Sequence, residues 1–207
     1  MSQKQLIGGL IGRGVLKTPS VIRAFKKVDR VDFVLPEYQA QAYEDHPLPI
    51  GFGQTISQPY TVALMLEWLA PKQGDKILDI GCGSGWTTAL LSSVVGKRGR
   101  VIGIERIPEL AKFAKSNLSK YPLHYRTSTV IHKDGSKGYL NYAPYDKMLA
   151  SASAFDEIPP AWKEQLKIGG RIVAPVGESV VVIDKLSRNK YKQTEHYGFA
   201  FVPLIKD

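Results

Sequence analysis

The amino-acid sequence predicts an α/β fold, in which a doubly wound, mostly parallel sheet carries an N-terminal helical cap and a C-terminal antiparallel ribbon. Three observations predict it. Strand and helix patterns alternate from Lys76 onwards, which is typical of a parallel sheet covered on both faces. Before Lys76 the apolar residues follow a helical period. After Gly177 strand patterns follow one another with no helix between them, which indicates antiparallel pairing.

The composition is that of a globular protein, with 43% hydrophobic and 23% charged residues in a chain of 207. We expect a single domain over residues 1–207, made of a cap with its following loop (1–70), a core (71–177) and C-terminal strands (178–207). No apolar stretch reaches the roughly 18 residues that a membrane span needs, and the N-terminus is unlike a signal peptide. Cys82 is the only cysteine. A cytoplasmic location is therefore expected.

The N-terminal third reads as helices interrupted by an irregular stretch. Residues 18–19, Thr-Pro, open one helix, and the apolar positions of 21–28 form its buried face. Prolines and glycines over 36–53 predict irregular structure. Ser57 is then a candidate N-cap, with Pro59 in the first turn of the next helix.

The remaining elements follow in order. Strand patterns cover Lys76–Ile80, 100–104, Ser128–His132, Tyr145–Ala150 and 171–174. Helix patterns between them cover 86–95, 108–120 and 159–167. The closing ribbon has strand patterns at 180–186, 191–196 and 200–204.

A glycine-rich loop, residues 81–85, joins the first of these strands to the helix that follows. Ligands of open α/β sheets bind beyond the carboxyl ends of the strands, and glycines there let a ligand approach the backbone. The spacing is not that of a dinucleotide fingerprint, because Trp86 stands where the third glycine belongs. Cys82 is expected to pack as a small buried residue. Taken alone, the loop is also compatible with a purely structural turn.

Acidic residues accompany three successive strands. Asp79 stands two residues before the first glycine, where its carboxylate is expected to face a ligand, repelling a pyrophosphate and attracting a cation. Glu105 ends the second strand and can accept hydrogen bonds from both hydroxyls of a ribose. Asp134 and Gly135 follow the third strand and can contact an adenine amino group. Asp79 also has a structural interpretation, as a turn residue or a helix cap, and Glu105 has one as a solvated strand end.

Together, three acids at these strand ends suit a nucleoside that carries a positive sulfonium and no phosphate. S-adenosylmethionine has that description. The pattern therefore predicts the Rossmann-like fold of a class I S-adenosylmethionine methyltransferase.

A second dense motif covers residues 47–60, whose prolines and glycines predict a rigid, shaped loop. Thr55 and Ser57 carry hydroxyls that can hold a carboxylate, and the amides of a helix N-terminus can add to that. A structural capping role for Ser57 fits the residues equally well.

Residues 47–60 resemble the signature loop of the protein-L-isoaspartate (D-aspartate) O-methyltransferases, and the similarity extends over nearly the whole chain. Other matching segments are 21–25, 28–30, 33–34, 42–45, 81–85, 104–106, 134–135, 143–146, 165–166, 169–171, 175–177 and 201–204. Four places depart from the common pattern of the family. They are Asp79 in place of Glu, Trp86 in place of Tyr, residues 151–153 in place of an Ala-Ala pair, and the poorly matched region 178–193.

The resemblance implies methylation of the carboxylate of L-isoaspartyl and D-aspartyl residues in damaged proteins, which initiates repair through a succinimide. S-adenosylmethionine is the implied methyl donor and S-adenosylhomocysteine the product. We assign Ser57 and Thr55 as catalytic, and Gln54, Ile56 and Ser57 to substrate binding. Cofactor contacts are expected from Asp79, Gly81, Gly83, Ser84, Gly85, Glu105, Arg106, Asp134 and Gly135. No metal site is expected.

Two other functions stay open. A net charge of +9 motivates a methyltransferase of the same fold that acts on RNA or on a dedicated peptide aspartate. The other is a binding module that keeps the cofactor pocket without catalysis. Because the basic residues form no long run, nucleic acid is not an expected partner. We expect peptides and proteins with isoaspartyl residues as partners, no membrane, and a monomeric chain.

Overall fold

A computed structural model describes residues 1–122, 127–154 and 156–205. The helices are α1 (Gln3–Gly12), α2 (Pro19–Lys27), α3 (Pro59–Leu69), α4 (Trp86–Val95), α5 (Pro108–Ser119) and α6 (Pro160–Gln165). The strands are β1 (Leu48–Gly51), β2 (Gln54–Ile56), β3 (Lys76–Ile80), β4 (Arg100–Glu105), β5 (Ser128–His132), β6 (Tyr145–Ala150), β7 (Leu166–Val176), β8 (Ser179–Lys185) and β9 (Tyr191–Tyr197). Among these described residues, no helix combines the length and the apolar character that crossing a bilayer requires.

Seven strands form the main sheet, in the order β5-β4-β3-β6-β7-β8-β9. The pairs from β5 to β7 are parallel, and β8 and β9 close the sheet as an antiparallel ribbon. The chain leaves β3 towards β4 and β5 and returns on the opposite side of β3 as β6, so the winding reverses beside β3. Ligands of such sheets bind at the carboxyl ends next to this reversal. The predicted fold class is confirmed.

The sheet is buried on both faces because successive strand residues point to opposite sides. On β3, Ile77 packs in the core shared with the N-terminal helices, whereas Leu78 and Ile80 pack in the second core with Trp162 of α6. None of these side chains is more than 1% exposed. A one-residue slip of β3 would exchange the two faces, so this burial specifies the register.

The N-terminal cap lies over the start of α4. Phe25 of α2 meets Trp86, the first residue of α4, edge to face with ring centroids 5.7 Å apart. Tyr121, just beyond α5, receives a hydrogen bond from the Asp29 N–H at 2.9 Å and donates one to Asp32 Oδ2 at 2.6 Å. These contacts hold the cap next to the glycine loop.

The C-terminal part of the chain differs from the sequence prediction in three places. Helix α6 ends at Gln165 rather than near 167, and the strand predicted at 171–174 extends over the whole of β7. Residues 200–204 form no full strand. They make a single bridge, in which the Ser153 N–H donates to the Val202 carbonyl and the Leu204 N–H donates to the Ser153 carbonyl, both at 2.8 Å. The two bonds involve the residues on either side of Pro203, and among the described residues the pairing is limited to this one bridge.

The stretch predicted to be irregular, 36–53, contains regular structure. Residues Pro36–Gln41 form a 3-10 helix, and β1 and β2 pair as a hairpin with its turn at Phe52 and Gly53. The turn needs left-handed backbone, with φ of 92° at Gly51, 56° at Phe52 and 69° at Gly53. The glycines that suggested irregularity are therefore those of a tight hairpin.

Candidate active site

A cleft opens at the carboxyl ends of β3 and β4, facing the β1–β2 hairpin. Eleven of the residues assigned to the site from the sequence line it. They are Gln54, Thr55, Ile56, Ser57, Gly81, Gly83, Ser84, Glu105, Arg106, Asp134 and Gly135. The fold therefore brings the glycine loop, the strand-end acids and the 47–60 motif to one cavity.

The glycine loop is held by its backbone. Gly81 and Cys82 donate their N–H groups to the Ile104 carbonyl of β4 at 2.8 and 3.0 Å. Gly81 and Gly83 have φ of 71° and 52°, a conformation that suits residues without a Cβ. Gly85, with φ of 88°, is the N-cap of α4. A Cβ on it would lie 3.1 Å from the Ala114 Cβ, so Gly85 packs against α5 and is not part of the cleft wall.

Glu105 is fixed at the end of β4. Its Oε2 accepts a hydrogen bond from the Gly83 N–H and its Oε1 accepts one from the Ile107 N–H, both at 2.9 Å. The side chain is buried yet lines the cleft. A carboxylate oxygen can accept more than one hydrogen bond, so both oxygens keep a lone pair for a pair of ligand hydroxyls.

Asp79 does not face the cleft as expected. Its side chain is fully buried under the glycine loop, where Oδ2 accepts hydrogen bonds from the hydroxyls of Thr87 and Thr88 at 2.8 and 2.6 Å. Among the described residues Oδ1 has no partner. Burial raises the pKa of Asp79 to about 6, and the nearby Glu105 charge adds to this while the two threonines oppose it. The two hydroxyls of α4 thus turn the carboxylate away from the cavity wall.

Asp134 and Gly135 sit where β5 ends. Ser136 donates its N–H to Asp134 Oδ1 at 2.8 Å and its hydroxyl to Oδ2 at 2.7 Å, which sets the orientation of the carboxylate. A Cβ on Gly135 would lie 2.6 Å from a methyl carbon of Ile80. A larger residue at this position would have to displace the Ile80 side chain.

Thr55, on the hairpin, and Ser57, directly after it, both line the cleft. Ile56, 4% exposed, anchors β2 in the core opposite Leu48. Thr55 is exposed and Ser57 half-buried. Within the described part of the chain neither hydroxyl makes a hydrogen bond, so both can donate to a ligand.

The predicted N-cap role of Ser57 is wrong. Helix α3 begins at Pro59, and Gln58 is its N-cap, without a capping hydrogen bond from its side chain. Asp45 instead satisfies the first turn, since its Oδ1 accepts the Tyr60 N–H at 2.8 Å. Capping is therefore carried by a residue outside the motif, and the Ser57 hydroxyl stays available.

Several cleft residues were not assigned from the sequence. They include Ile50, Cys82, Trp86, Thr87, Lys133, Ser151, Ala152, Val202, Leu204 and Ile205. The C-terminal residues reach the cleft through the bridge to Ser153, for which a strand pattern gives no signal. Cys82 is buried as expected, and burial raises the pKa of its thiol well above the usual value, which argues against a nucleophilic role.

The donor and acceptor set fits an S-adenosyl group. Glu105 offers paired acceptors for a ribose, Asp134 offers an oriented carboxylate one strand further, and Gly81 and Gly83 leave the backbone open to close approach. Fold and site together define an S-adenosylmethionine-dependent methyltransferase with a Rossmann-like sheet. The chain belongs to the protein-L-isoaspartate(D-aspartate) O-methyltransferase family, whose model matches residues 1–207.

Curated relatives and solved structures agree with this membership. The protein-L-isoaspartate O-methyltransferase of Methanopyrus kandleri is 43% identical over 208 residues, covering 99% of this chain and 91% of the relative. Protein-L-isoaspartate O-methyltransferase 1 of Archaeoglobus fulgidus is 49% identical over 185 residues, covering 89% and 84%. A crystal structure of a Plasmodium falciparum protein, described as a putative protein-L-isoaspartate O-methyltransferase in complex with S-adenosyl-L-homocysteine, superposes with a TM-score of 0.89 at 26% identity over 100% of both chains.

Proposed function

We propose that this chain transfers the methyl group of S-adenosylmethionine to the free carboxylate of L-isoaspartyl and D-aspartyl residues in damaged proteins. The observation that carries the proposal is the shared cleft, in which the Glu105 carboxylate and the uncommitted hydroxyls of Thr55 and Ser57 line one cavity. Membership of the family and the names of the relatives support this acceptor.

When bound, S-adenosylmethionine supplies a methyl group activated by its sulfonium and leaves as S-adenosylhomocysteine. In this proposal Glu105 receives the ribose hydroxyls and Asp134 receives the adenine amino group. Asp79 and Gly85 do not line the cleft, and they support the residues that do. The remaining wall is expected to come from Gly81, Gly83, Ser84, Arg106 and Gly135.

The enzyme has to position the acceptor carboxylate and does not have to activate it. The free carboxylate is the α-carboxylate in an isoaspartyl residue and the side-chain carboxylate in a D-aspartyl residue. Both have a pKa of about 4 or below and are ionised at neutral pH, so no general base is required. The hydroxyls of Ser57 and Thr55 donate to one carboxylate oxygen and leave the other free to react. Gln54 and Ile56 contact the peptide on the same wall. Catalysis then rests on alignment and on keeping water out of the cleft.

The repair step follows after release. The backbone N–H of the next residue attacks the methyl ester, methanol leaves, and a succinimide ring forms. Water opens the ring at either carbonyl, which returns part of the material to normal aspartate. We further expect the chain to act as a monomer in the cytoplasm.

Methyl transfer to matched acceptors tests the proposal. The protein is incubated with methyl-labelled S-adenosylmethionine and, separately, an isoaspartyl peptide, its aspartyl twin and bulk RNA. We expect base-labile label on the isoaspartyl peptide only. Label on RNA would support the alternative acceptor motivated by the net charge of +9. Binding of the cofactor without any transfer would support a binding module instead.

A further inference from the structure

Arg30 is a buried cation at the junction between the cap and the 47–60 motif. It is 1% exposed. Its Nη1 donates to the Ala42 carbonyl at 2.8 Å, and its Nη2 donates to the carbonyls of His46 and Ser57 at 3.0 and 3.1 Å. The Glu44 carbonyl lies 3.3 Å from Nη1. The guanidinium of Arg30 thus binds both the segment before the hairpin, at Ala42 and His46, and Ser57, which directly follows the hairpin.

The other side of Arg30 faces the cofactor half of the cleft. Its guanidinium carbon lies 5.4 Å from the centroid of the Trp86 ring. Trp86 is the first residue after the glycine loop and lines the cleft. Arg30 therefore touches both halves of the site, Ser57 through a hydrogen bond and the base of the glycine loop through a cation–π contact.

Stability alone is a poor reason for this arrangement. Burial lowers the pKa of Arg30 to about 10, with the Asp45 charge acting in the opposite direction, so the group stays charged at neutral pH. Among the described residues, its hydrogen bonds go to carbonyls and not to a carboxylate, and Nε has no partner. Burying such a cation without a carboxylate partner is costly, and its hydrogen bonds to neutral carbonyls offset only part of that cost.

We propose that Arg30 is a positioning residue that sets the place of Ser57 relative to the glycine loop, and so aligns the acceptor carboxylate with the methyl donor. The inference rests on the proposed function, because it assigns Arg30 a role through the hydroxyl of Ser57. A lysine cannot substitute, since its single nitrogen cannot reach the separate carbonyls that Nη1 and Nη2 bind while also covering the Trp86 ring.

A double-mutant cycle separates positioning from general stabilisation. The single variants are Arg30→Lys, Arg30→Met and Ser57→Ala, and each Arg30 change is also combined with Ser57→Ala. Lys185→Met is the matched control. Lys185 is 7% exposed and donates to the carbonyls of Lys163 and Leu166 at 2.6 and 2.8 Å. Like Arg30 it is a buried cation with carbonyl partners, but it lies away from the cleft.

Rates with an isoaspartyl peptide are expressed per S-adenosylhomocysteine-binding site, so that partial unfolding does not enter the comparison. Where turnover is too slow to follow, the same double-mutant cycle is built from the affinity of the S-adenosylhomocysteine complex for the peptide. Arg30→Lys retains a buried cation. If Arg30→Met does not fold, the double-mutant cycle is measured with Arg30→Lys alone.

We expect Arg30→Lys to lower kcat/KM about tenfold or more, with S-adenosylhomocysteine affinity within about threefold of wild type. In the Ser57→Ala background the same change is expected to lower kcat/KM by less than about threefold, because residues that act through one another are not additive. Additive losses, or a Lys185→Met variant that loses kcat/KM to the same extent, would overturn the inference. A wild-type protein that does not methylate the peptide would instead overturn the proposed function.

Discussion

The Glu105 carboxylate accepts a hydrogen bond from the Gly83 N–H at 2.9 Å, and this ties the end of β4 to the loop that follows β3. With the second bond, from the Ile107 N–H, both carboxylate oxygens are oriented before a ligand arrives. A preoriented acceptor loses less conformational freedom on binding. The two strand ends thus form one preoriented surface, which we expect to bind a ribose.

The first prediction concerns Glu105→Gln. The amide group cannot accept both backbone N–H bonds, because its nitrogen is a donor. Hydrogen bonds to charged groups contribute about 1.5–3 kcal/mol, so we expect S-adenosylhomocysteine to bind roughly 10- to 100-fold more weakly, measured by calorimetry. Glu109→Gln is the control, because Glu109 is exposed in the first turn of α5. Equal affinity in the two variants would remove Glu105 from the cofactor site.

The second prediction concerns the hydroxyl of Ser57. Ser57→Ala removes the hydroxyl that we propose to hold the acceptor carboxylate, and it leaves the backbone carbonyl bonded to Arg30. We expect kcat/KM for an isoaspartyl peptide to fall about 10- to 100-fold, with unchanged affinity for S-adenosylhomocysteine. Ser116→Ala, on the exposed face of α5, should keep the full rate. A Ser57→Ala variant with wild-type kinetics would rule out this role.

The third prediction concerns the stability contributed by Asp79. Its folded-state pKa of about 6 lies above the ordinary value of 3.8, so the folded state binds more protons between these values. Stability should therefore fall as pH rises from about 4 to 6 and level off above that, by about 3 kcal/mol in total. Asp79→Asn has no such titration. Denaturant unfolding of both proteins from pH 4 to 8 measures the difference, and parallel curves would contradict the raised pKa.

The fourth prediction concerns strain at Phe52. Its φ of 56° is left-handed, and its side chain is 59% exposed, so the conformational cost is offset by little burial. Asparagine tolerates this region. We expect Phe52→Asn to raise the free energy of unfolding by about 0.5–1 kcal/mol. Leu140→Asn, at a residue 74% exposed and without positive φ, controls for loss of an exposed apolar side chain. Greater destabilisation by Phe52→Asn than by Leu140→Asn would argue against stored strain.

The core of the fold was predictable because its signals are local. Apolar strand residues and the glycines of 81–85 mark β3, its loop and the start of α4 within ten residues of one another. The β1–β2 hairpin could not be predicted, because strands of four and three residues are too short to show an alternating pattern. Residues 200–204 alternate like a strand, yet within the described part of the chain they make only one bridge, to Ser153.

The site was only partly predictable, because side-chain directions depend on distant partners. The spacing of Asp79 and the glycines predicted a ligand contact. Thr87 and Thr88, in the first turn of α4, bind the carboxylate and turn it away from the cleft. Arg30 carries no sequence signal of its role either, since its carbonyl partners lie 12 to 27 residues further along the chain.

The central claim is that the acceptor is an isoaspartyl carboxylate, and a direct competition tests it. An equimolar mixture of an isoaspartyl peptide and its aspartyl twin is incubated with the protein and S-adenosylmethionine, and the methylated residue is located by fragmentation mass spectrometry. We predict methyl ester on the isoaspartyl residue alone, followed on longer incubation by the succinimide and by newly formed aspartyl peptide. Equal methylation of both peptides, or of neither, would contradict it.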